Sequence, residues 1–136
     1  MAPLENNISI LVIEDNPGDQ LLLEANLEET NLPISKITMA GTITDAVAFL
    51  QREEFSLIFL DFFLPDSGGL NSYIQIAKIN SKIPVILLSG LLDTELSLKT
   101  ISLGAQDFLV KGSFDSQMLE KAARYSIERK KNIELL

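Results

Sequence analysis

The sequence predicts an α/β fold: a doubly wound sandwich built on a five-stranded parallel sheet. Three observations carry the prediction. Short apolar runs alternate with helix-like runs five times along the chain. The apolar runs are nearly continuous, as in strands buried on both faces. At 136 residues, 46% hydrophobic and 22% charged, the chain has the size and composition of one globular domain.

Each element has a local reason. Ile8–Ile13 is a compact apolar strand. Asn16 is placed to cap a first helix, and Pro17 suits its first turn, where no amide partner is needed. That helix runs to about Thr30, with Leu22, Leu23, Ala25 and Leu27 toward the core and Glu24, Glu28 and Glu29 in water. Asn31-Leu32-Pro33 ends it. In the second strand Ser35, Ile37 and Met39 form the better inward set. Thr42 or Thr44 caps a second helix to about Glu53, with Ile43, Ala46, Val47 and Leu50 at helical spacing. Leu57-Ile58-Phe59-Leu60 is a third strand ending in Asp61, and Pro65-Asp66-Ser67-Gly68-Gly69 signals a turn.

A third helix covers about Leu70–Asn80, with Leu70, Tyr73, Ile74 and Ala77 periodic. Pro84–Leu88 is a fourth buried strand, running into Ser89-Gly90. A fourth helix fits Thr94–Leu103, and Gly104 suits its left-handed stop. Phe108-Leu109-Val110 is the fifth strand, followed by Lys111-Gly112. A last helix starts near Ser116 and docks through Leu119, Ala122, Ala123 and Ile127. Ile133 and Leu136 continue an apolar seam past that face.

Composition then removes whole chemistries. The chain has no cysteine, so it has no disulfide, thiolate nucleophile or Cys-ligated zinc. It has no histidine, so it has no Ser-His-Asp triad and no imidazole acid or base. The net charge is −8, and residues 1–111 hold six Lys/Arg against fifteen Asp/Glu. Such an acidic body does not suit a phosphate-backbone binder, so no direct nucleic-acid contact is expected. The apolar runs near 55–64 and 83–92 are broken by Asp61 and by Ser89-Gly90, well short of a membrane span. Met1–Asn7 lacks the basic start and apolar core of a signal peptide. The expected compartment is the cytoplasm.

Ligands of open α/β sheets sit beyond the carboxyl ends of the strands. Here those ends carry Glu14-Asp15, then Ala40-Gly41, Asp61, Ser89 and Lys111. Taken singly, each is ordinary: an acid favouring a helix start, a serine cap, a surface lysine. Taken together they form a site. Three close carboxylates repel one another, and a hard divalent cation such as Mg²⁺ removes the conflict. Ser89 and Lys111 are suited to grip a phosphoryl group. Asp61, between the acidic pair and the Ser/Lys pair, is the best nucleophile for an aspartyl phosphate.

At these residues the chain closely resembles the receiver domain of two-component response regulators. The resemblance rests on Ile10–Asn16, on Leu57–Asp61 with Leu64-Pro65-Asp66, on Pro84–Gly90 and on Gly104–Gly112. It covers nearly all of 8–127, which leaves 1–7 as an N-terminal extension and 128–136 as a helix extension or the start of a connector. It implies a flavodoxin-like three-layer sandwich with strand order 2-1-3-4-5. It implies that Asp61 accepts a phosphoryl group from a partner phosphohistidine, on a sensor histidine kinase or a histidine phosphotransfer protein. It implies that Glu14, Asp15, Asp61 and the backbone carbonyl of Phe63 hold Mg²⁺ (or Mn²⁺), and that Ser89 and Lys111 bind the phosphoryl group. Ser89 and Phe108 match the family's switch pair.

Three departures stand out. Gly112 follows Lys111 where many members have proline. Phe108 replaces the frequent tyrosine and has no hydroxyl to donate. Phe63 and Leu91, two residues beyond Asp61 and Ser89, are both apolar, which is expected to impede an attacking water and slow autodephosphorylation. The exit Tyr125-Ser126-Ile127-Glu128-Arg129-Lys130 resembles the family's lead into a connector helix, with an output or sensor domain beyond it or a homodimer through this end. On this reading the chain is a switch, not an enzyme beyond its own phosphotransfer and dephosphorylation. Two alternatives stay open: a phosphorylation-independent adaptor, and a Mg²⁺-dependent phosphohydrolase with an aspartyl-phosphate intermediate. The second lacks the usual acid two residues after the nucleophile, where Phe63 stands.

Overall fold

The computed structural model describes residues 7–90 and 93–135, with side chains to Asn132. The elements, in order, are β1 (Ile8–Ile13), α1 (Pro17–Glu28), β2 (Ile34–Ala40), α2 (Ile43–Arg52), β3 (Leu57–Asp61), β4 (Phe63–Leu64), β5 (Ser67–Gly68), α3 (Gly69–Ile79), β6 (Val85–Ser89), α4 (Thr94–Ser102), β7 (Asp107–Val110) and α5 (Ser116–Leu135). Five strands form one parallel sheet in the order β2-β1-β3-β6-β7. This is the predicted 2-1-3-4-5 order. β4 and β5 add a separate two-residue antiparallel hairpin, with Phe63 opposite Gly68.

The strands sort their side chains by parity, since successive residues point to opposite faces. Ile10, Val12, Leu57, Phe59, Ile86 and Leu88 join Leu23 and Leu27 of α1 and Leu119, Ala123 and Ile127 of α5. Leu11, Ile13, Ile58, Leu60, Val85 and Leu87 join Ile43 and Ala46 of α2 and Tyr73 and Ile76 of α3. The sheet is therefore the middle of three layers. β1, β3 and β6 lie at its centre and are almost completely buried.

The first helix starts as its sequence suggests. Asn16 has extended backbone, and its side chain accepts from Asp19 N. The inward set differs from expectation. Leu23 and Leu27 are buried, whereas Leu22 is 57% exposed and Ala25 is exposed. At about 100° per residue, Leu22 and Ala25 point well away from the Leu23/Leu27 stripe. The run of apolar letters hides that geometry. In α3 the buried positions are Gly69, Ser72, Tyr73 and Ile76, and Ile74 is on the outer side. In α2 the cap is Thr42, which accepts from Asp45 N.

The second strand also corrects the inward set. Ser35 is exposed, and Ile34 packs beside Ile37 and Met39. The cause is an irregularity in the β1–β2 ladder: Ile8 pairs with Ile34, and the next residue, Ser9, pairs with Lys36. One extra residue on β2 reverses the inside–outside alternation across Ser35. Of α5, Leu119, Ala122, Ala123 and Ile127 are buried as expected. The helix continues unbroken to Leu135. Leu91, the side chain of Ile133, Leu136 and residues 1–6 lie outside what is described. No described helix is long and apolar enough to cross a membrane.

Candidate functional site

The strand order brings the C-terminal ends of β1 and β3 side by side, with β6 and β7 following. β1 delivers Glu14 and Asp15 to the same pole, and β3, β6 and β7 deliver one polar side chain each. Glu14 continues β1 by one residue, its N donating to Ala40 O at 2.9 Å. It is 1% exposed, and Asn16 N donates to its Oε1 at 3.0 Å. Asp15 is exposed. Asp61 closes β3 and is 5% exposed, and Phe63 N donates to its Oδ1 at 3.3 Å. Lys111 is held by its own backbone, its N donating to Ser89 O at 2.8 Å.

Charge then organises the site. Lys111 Nζ lies 2.8 Å from Glu14 Oε2, 3.0 Å from Asp61 Oδ2 and 3.0 Å from Asp19 Oδ2. It donates hydrogen bonds to Asp61 and Asp19, and its contact with Glu14 is an ion pair without hydrogen-bond geometry. Burial pushes the Glu14 carboxyl up to about 7, against the lowering effect of Lys111, and the neighbouring Asp61 carboxylate adds to the rise. Burial alone would lower the Lys111 ammonium, but Glu14, Asp61 and Asp19 outweigh it and raise it.

Glu14, Asp15 and Asp61 can each place a carboxylate oxygen so that the three lie within 4.8 Å of one another. All three are hard oxygen donors, and Glu14 keeps a buried Oε2 that no hydrogen bond reaches. One ammonium does not neutralise this cluster. The donor set fits a divalent cation such as Mg²⁺, which binds through one or two carboxylates and keeps open positions for phosphate.

On the other side of Asp61 sits Ser89, 1% exposed, at the end of β6. Its Oγ has no hydrogen-bond partner among the described residues. The Thr38 and Ser97 hydroxyls are likewise unpartnered, but of the three only Ser89 ends a central strand of the sheet, where it can donate to an incoming group. Phe108 on β7 pairs with Leu87 and packs, half-buried, against the α2/α3 side of the core. Phe63 is 61% exposed on β4. The structure thus gathers Glu14, Asp15, Asp61, Ser89 and Lys111 at one pole, with Phe63 on its rim.

Sequence reasoning missed Asp19. No strand-end position marks it, because Asp19 lies past the Asn16 cap in the first turn of α1 and its partner is 92 positions away. It also missed Asp66, whose carboxylate accepts from Ile43 N (2.9 Å), Thr44 N (3.1 Å) and Thr44 Oγ1 (2.6 Å). The loop after β3 therefore caps α2 from outside, beside the cap from Thr42.

Residues 10–124 match the family described as response regulator receiver domain. The chain belongs to that family. It is 26% identical over 128 residues to the transcriptional regulatory protein ZraR of Salmonella typhimurium, covering 92% of this chain and 28% of that protein. The chain therefore spans little more than a quarter of that relative. Among solved structures, the signal receiver domain of an HD domain-containing protein from Pseudomonas fluorescens Pf-5 superposes with a TM-score of 0.82, at 25% identity over 98% of this chain and 96% of that one. The receiver domain of sensor histidine kinase PA1611 from Pseudomonas aeruginosa PAO1 has a TM-score of 0.76, at 26% identity over 90% and 98%. That domain holds a magnesium ion coordinated in its active-site cleft. In the present receiver domain, the acidic, hydroxyl and ammonium groups meet at the pole where the five parallel strands end.

Proposed function

We propose that this receiver domain is a phosphorylation-dependent switch of a two-component phosphorelay, with Asp61 as phosphoacceptor. One observation supports the reading above all. A buried carboxylate, Asp61, is paired to Lys111 beside a buried hydroxyl, Ser89, that has no hydrogen-bond partner among the described residues.

The residues divide the work. Glu14, Asp15, Asp61 and the backbone carbonyl of Phe63 would hold Mg²⁺ (or Mn²⁺). When bound, the ion neutralises the carboxylates and the incoming phosphoryl oxygens. An Asp61 Oδ attacks phosphorus, the P–N bond to the donor imidazole breaks, and its electron pair leaves with the nitrogen. Ser89 donates to a phosphoryl oxygen, and Lys111 pairs with the new charge. No histidine base is needed, because the reaction asks for positioning and charge neutralisation. The chain has no histidine of its own, so the phosphoryl group arrives from a sensor histidine kinase, a histidine phosphotransfer protein or a small donor.

Phosphorylation then biases a two-state surface through Ser89 and Phe108. The recipient is an output or sensor domain after residue 127, a separate partner, or a second copy of the chain, in the cytoplasm. The domain catalyses only its own phosphotransfer and dephosphorylation. The test is intact mass after incubation with Mg²⁺ and phosphoramidate. One stable phosphoryl adduct, absent from Asp61→Asn, is the expected result. Multiple turnover of an external phosphate ester, or no adduct at all, contradicts it.

A further inference from the structure

Lys111 is shared by three carboxylates, and they are not equivalent. Glu14 and Asp61 have side chains 1% and 7% exposed, whereas that of Asp19 is 45% exposed. An ammonium has three N–H donors. Asp61 and Asp19 each take one of these donors, and Glu14 Oε2 crowds the nitrogen at 2.8 Å from a third side. A phosphoryl group on Asp61 adds anionic oxygens within reach of that nitrogen and needs a donor from it. One carboxylate must then yield. Glu14 and Asp61 meet Lys111 in the buried interior, where water cannot readily replace the ammonium. Releasing Asp19 costs little, because water replaces its hydrogen bond at the rim.

We propose that Asp19 is an exchangeable positioning residue: it holds the Lys111 ammonium in the unphosphorylated site and surrenders it to the phosphoryl group on Asp61. The proposal rests on the phosphoacceptor reading above and adds a residue to it. Its consequence is structural. Asp19 lies in the first turn of α1, and Lys111 begins the loop between β7 and α5, 92 positions away. Their hydrogen bond clasps the two segments that flank the pole. Phosphorylation opens the clasp and frees a carboxylate on the α1 surface, next to the exposed side chains of Leu21 and Leu22. The phosphorylated state is thereby read on the α1 side of the sheet as well as at Phe108. The buried Ser89 hydroxyl, at the end of β6 and without a partner among the described residues, is a separate donor available to an anion there.

The test uses the whole chain, Mg²⁺ and phosphoramidate, whose nitrogen leaves as ammonia when the Asp61–phosphorus bond forms. Adduct formation is timed by intact mass for the wild type, Asp19→Asn and Glu28→Gln. Glu28 is exposed on the same helix and supplies an equal change of charge away from Lys111. The Asp19 carboxylate carbon resonance is followed in the wild type at the same time.

Removing an exposed competitor for one ammonium is expected to speed adduct formation about two- to five-fold in Asp19→Asn. Glu28→Gln should match the wild type, and the Asp19 resonance should shift as the adduct forms. Three results overturn the exchange while leaving the phosphoacceptor reading intact: an adduct forming no faster in Asp19→Asn, an equal gain in Glu28→Gln, or a wild-type adduct with an unmoved Asp19 resonance. A wild type that forms no adduct overturns the phosphoacceptor reading, and the exchange with it.

Discussion

Glu14 shows how one buried residue ties stability to binding. Its carboxyl sits at about 7 because burial penalises its charge more than Lys111 repays. The folded state therefore holds a proton that the unfolded chain has lost above the ordinary carboxylate range. The contribution to stability is full below about 4.5 and is lost as pH rises through about 7. Without metal, the melting temperature should fall between pH 5 and pH 8, and Glu14→Gln should flatten that fall. Each tenfold difference in proton affinity between folded and unfolded chains is worth about 1.4 kcal/mol, or roughly 4 °C for a domain of this size. A metal-free melting temperature that rises across this range, or a fall unchanged in Glu14→Gln, contradicts the assignment. Phe63 makes a second residue-scale prediction. If the exposed ring of Phe63 hinders an approaching water, the adduct should outlast seconds, and loss within seconds, unaccelerated by Phe63→Asn, would contradict this.

Why is Glu14 legible in the sequence and Asp19 not? Glu14, Asp15, Asp61, Ser89 and Lys111 each follow a recognisable apolar strand, and parallel strands gather their ends at one pole. Asp19 follows a helix cap. Its partner is 92 positions away, and no local pattern announces that meeting.

At the scale of elements, Asp66 ties the loop after β3 to the start of α2. Three of its hydrogen bonds end on Ile43 and Thr44, in the first turn of α2. The Thr44 hydroxyl and the Ile43 amide hold its carboxyl below the usual carboxylate range. Its contribution is thus present above that range and lost as pH falls through it. Asp66→Ala should cost about 1 kcal/mol, the usual cost of a lost helix cap. Urea unfolding at neutral pH measures this, and the difference from wild type should shrink in acid. No loss at neutral pH would show that Thr42 alone caps α2.

Most elements are readable because strand and helix periods differ. The departures come where geometry depends on a neighbour. The extra residue at Ser35 exists only relative to β1, so a single strand read alone alternates on the wrong side. In α1, Leu21-Leu22-Leu23 reads as apolar throughout, although a helix directs only one of the three inward. The β4–β5 hairpin reads as a plain turn, since two-residue strands carry no periodic signal.

For the whole molecule, the central question is where the acidic charge is used. Nineteen acids against eleven bases set a net charge of −8, yet three carboxylates and Asp19 gather at one pole. The opposite pole receives the start of β1 and the last turns of α5, where Ile127, Lys130 and Lys131 line a 710 Å³ groove with Phe55 and Ile83. α5 runs on to Leu135, past its buried face. If this extension joins two copies, light scattering should give a dimer for the full chain and a monomer after removal of 128–136. An unchanged mass removes that idea.

The phosphoacceptor is tested most directly by locating the phosphoryl bond. Borohydride reduces an acyl phosphate and converts its aspartate to homoserine. After treatment with Mg²⁺ and phosphoramidate, then borohydride, peptide mass mapping should place homoserine at position 61 and leave Asp15 and Asp19 intact. Homoserine at another aspartate, or none at position 61 in a protein that carries the adduct, would contradict the account.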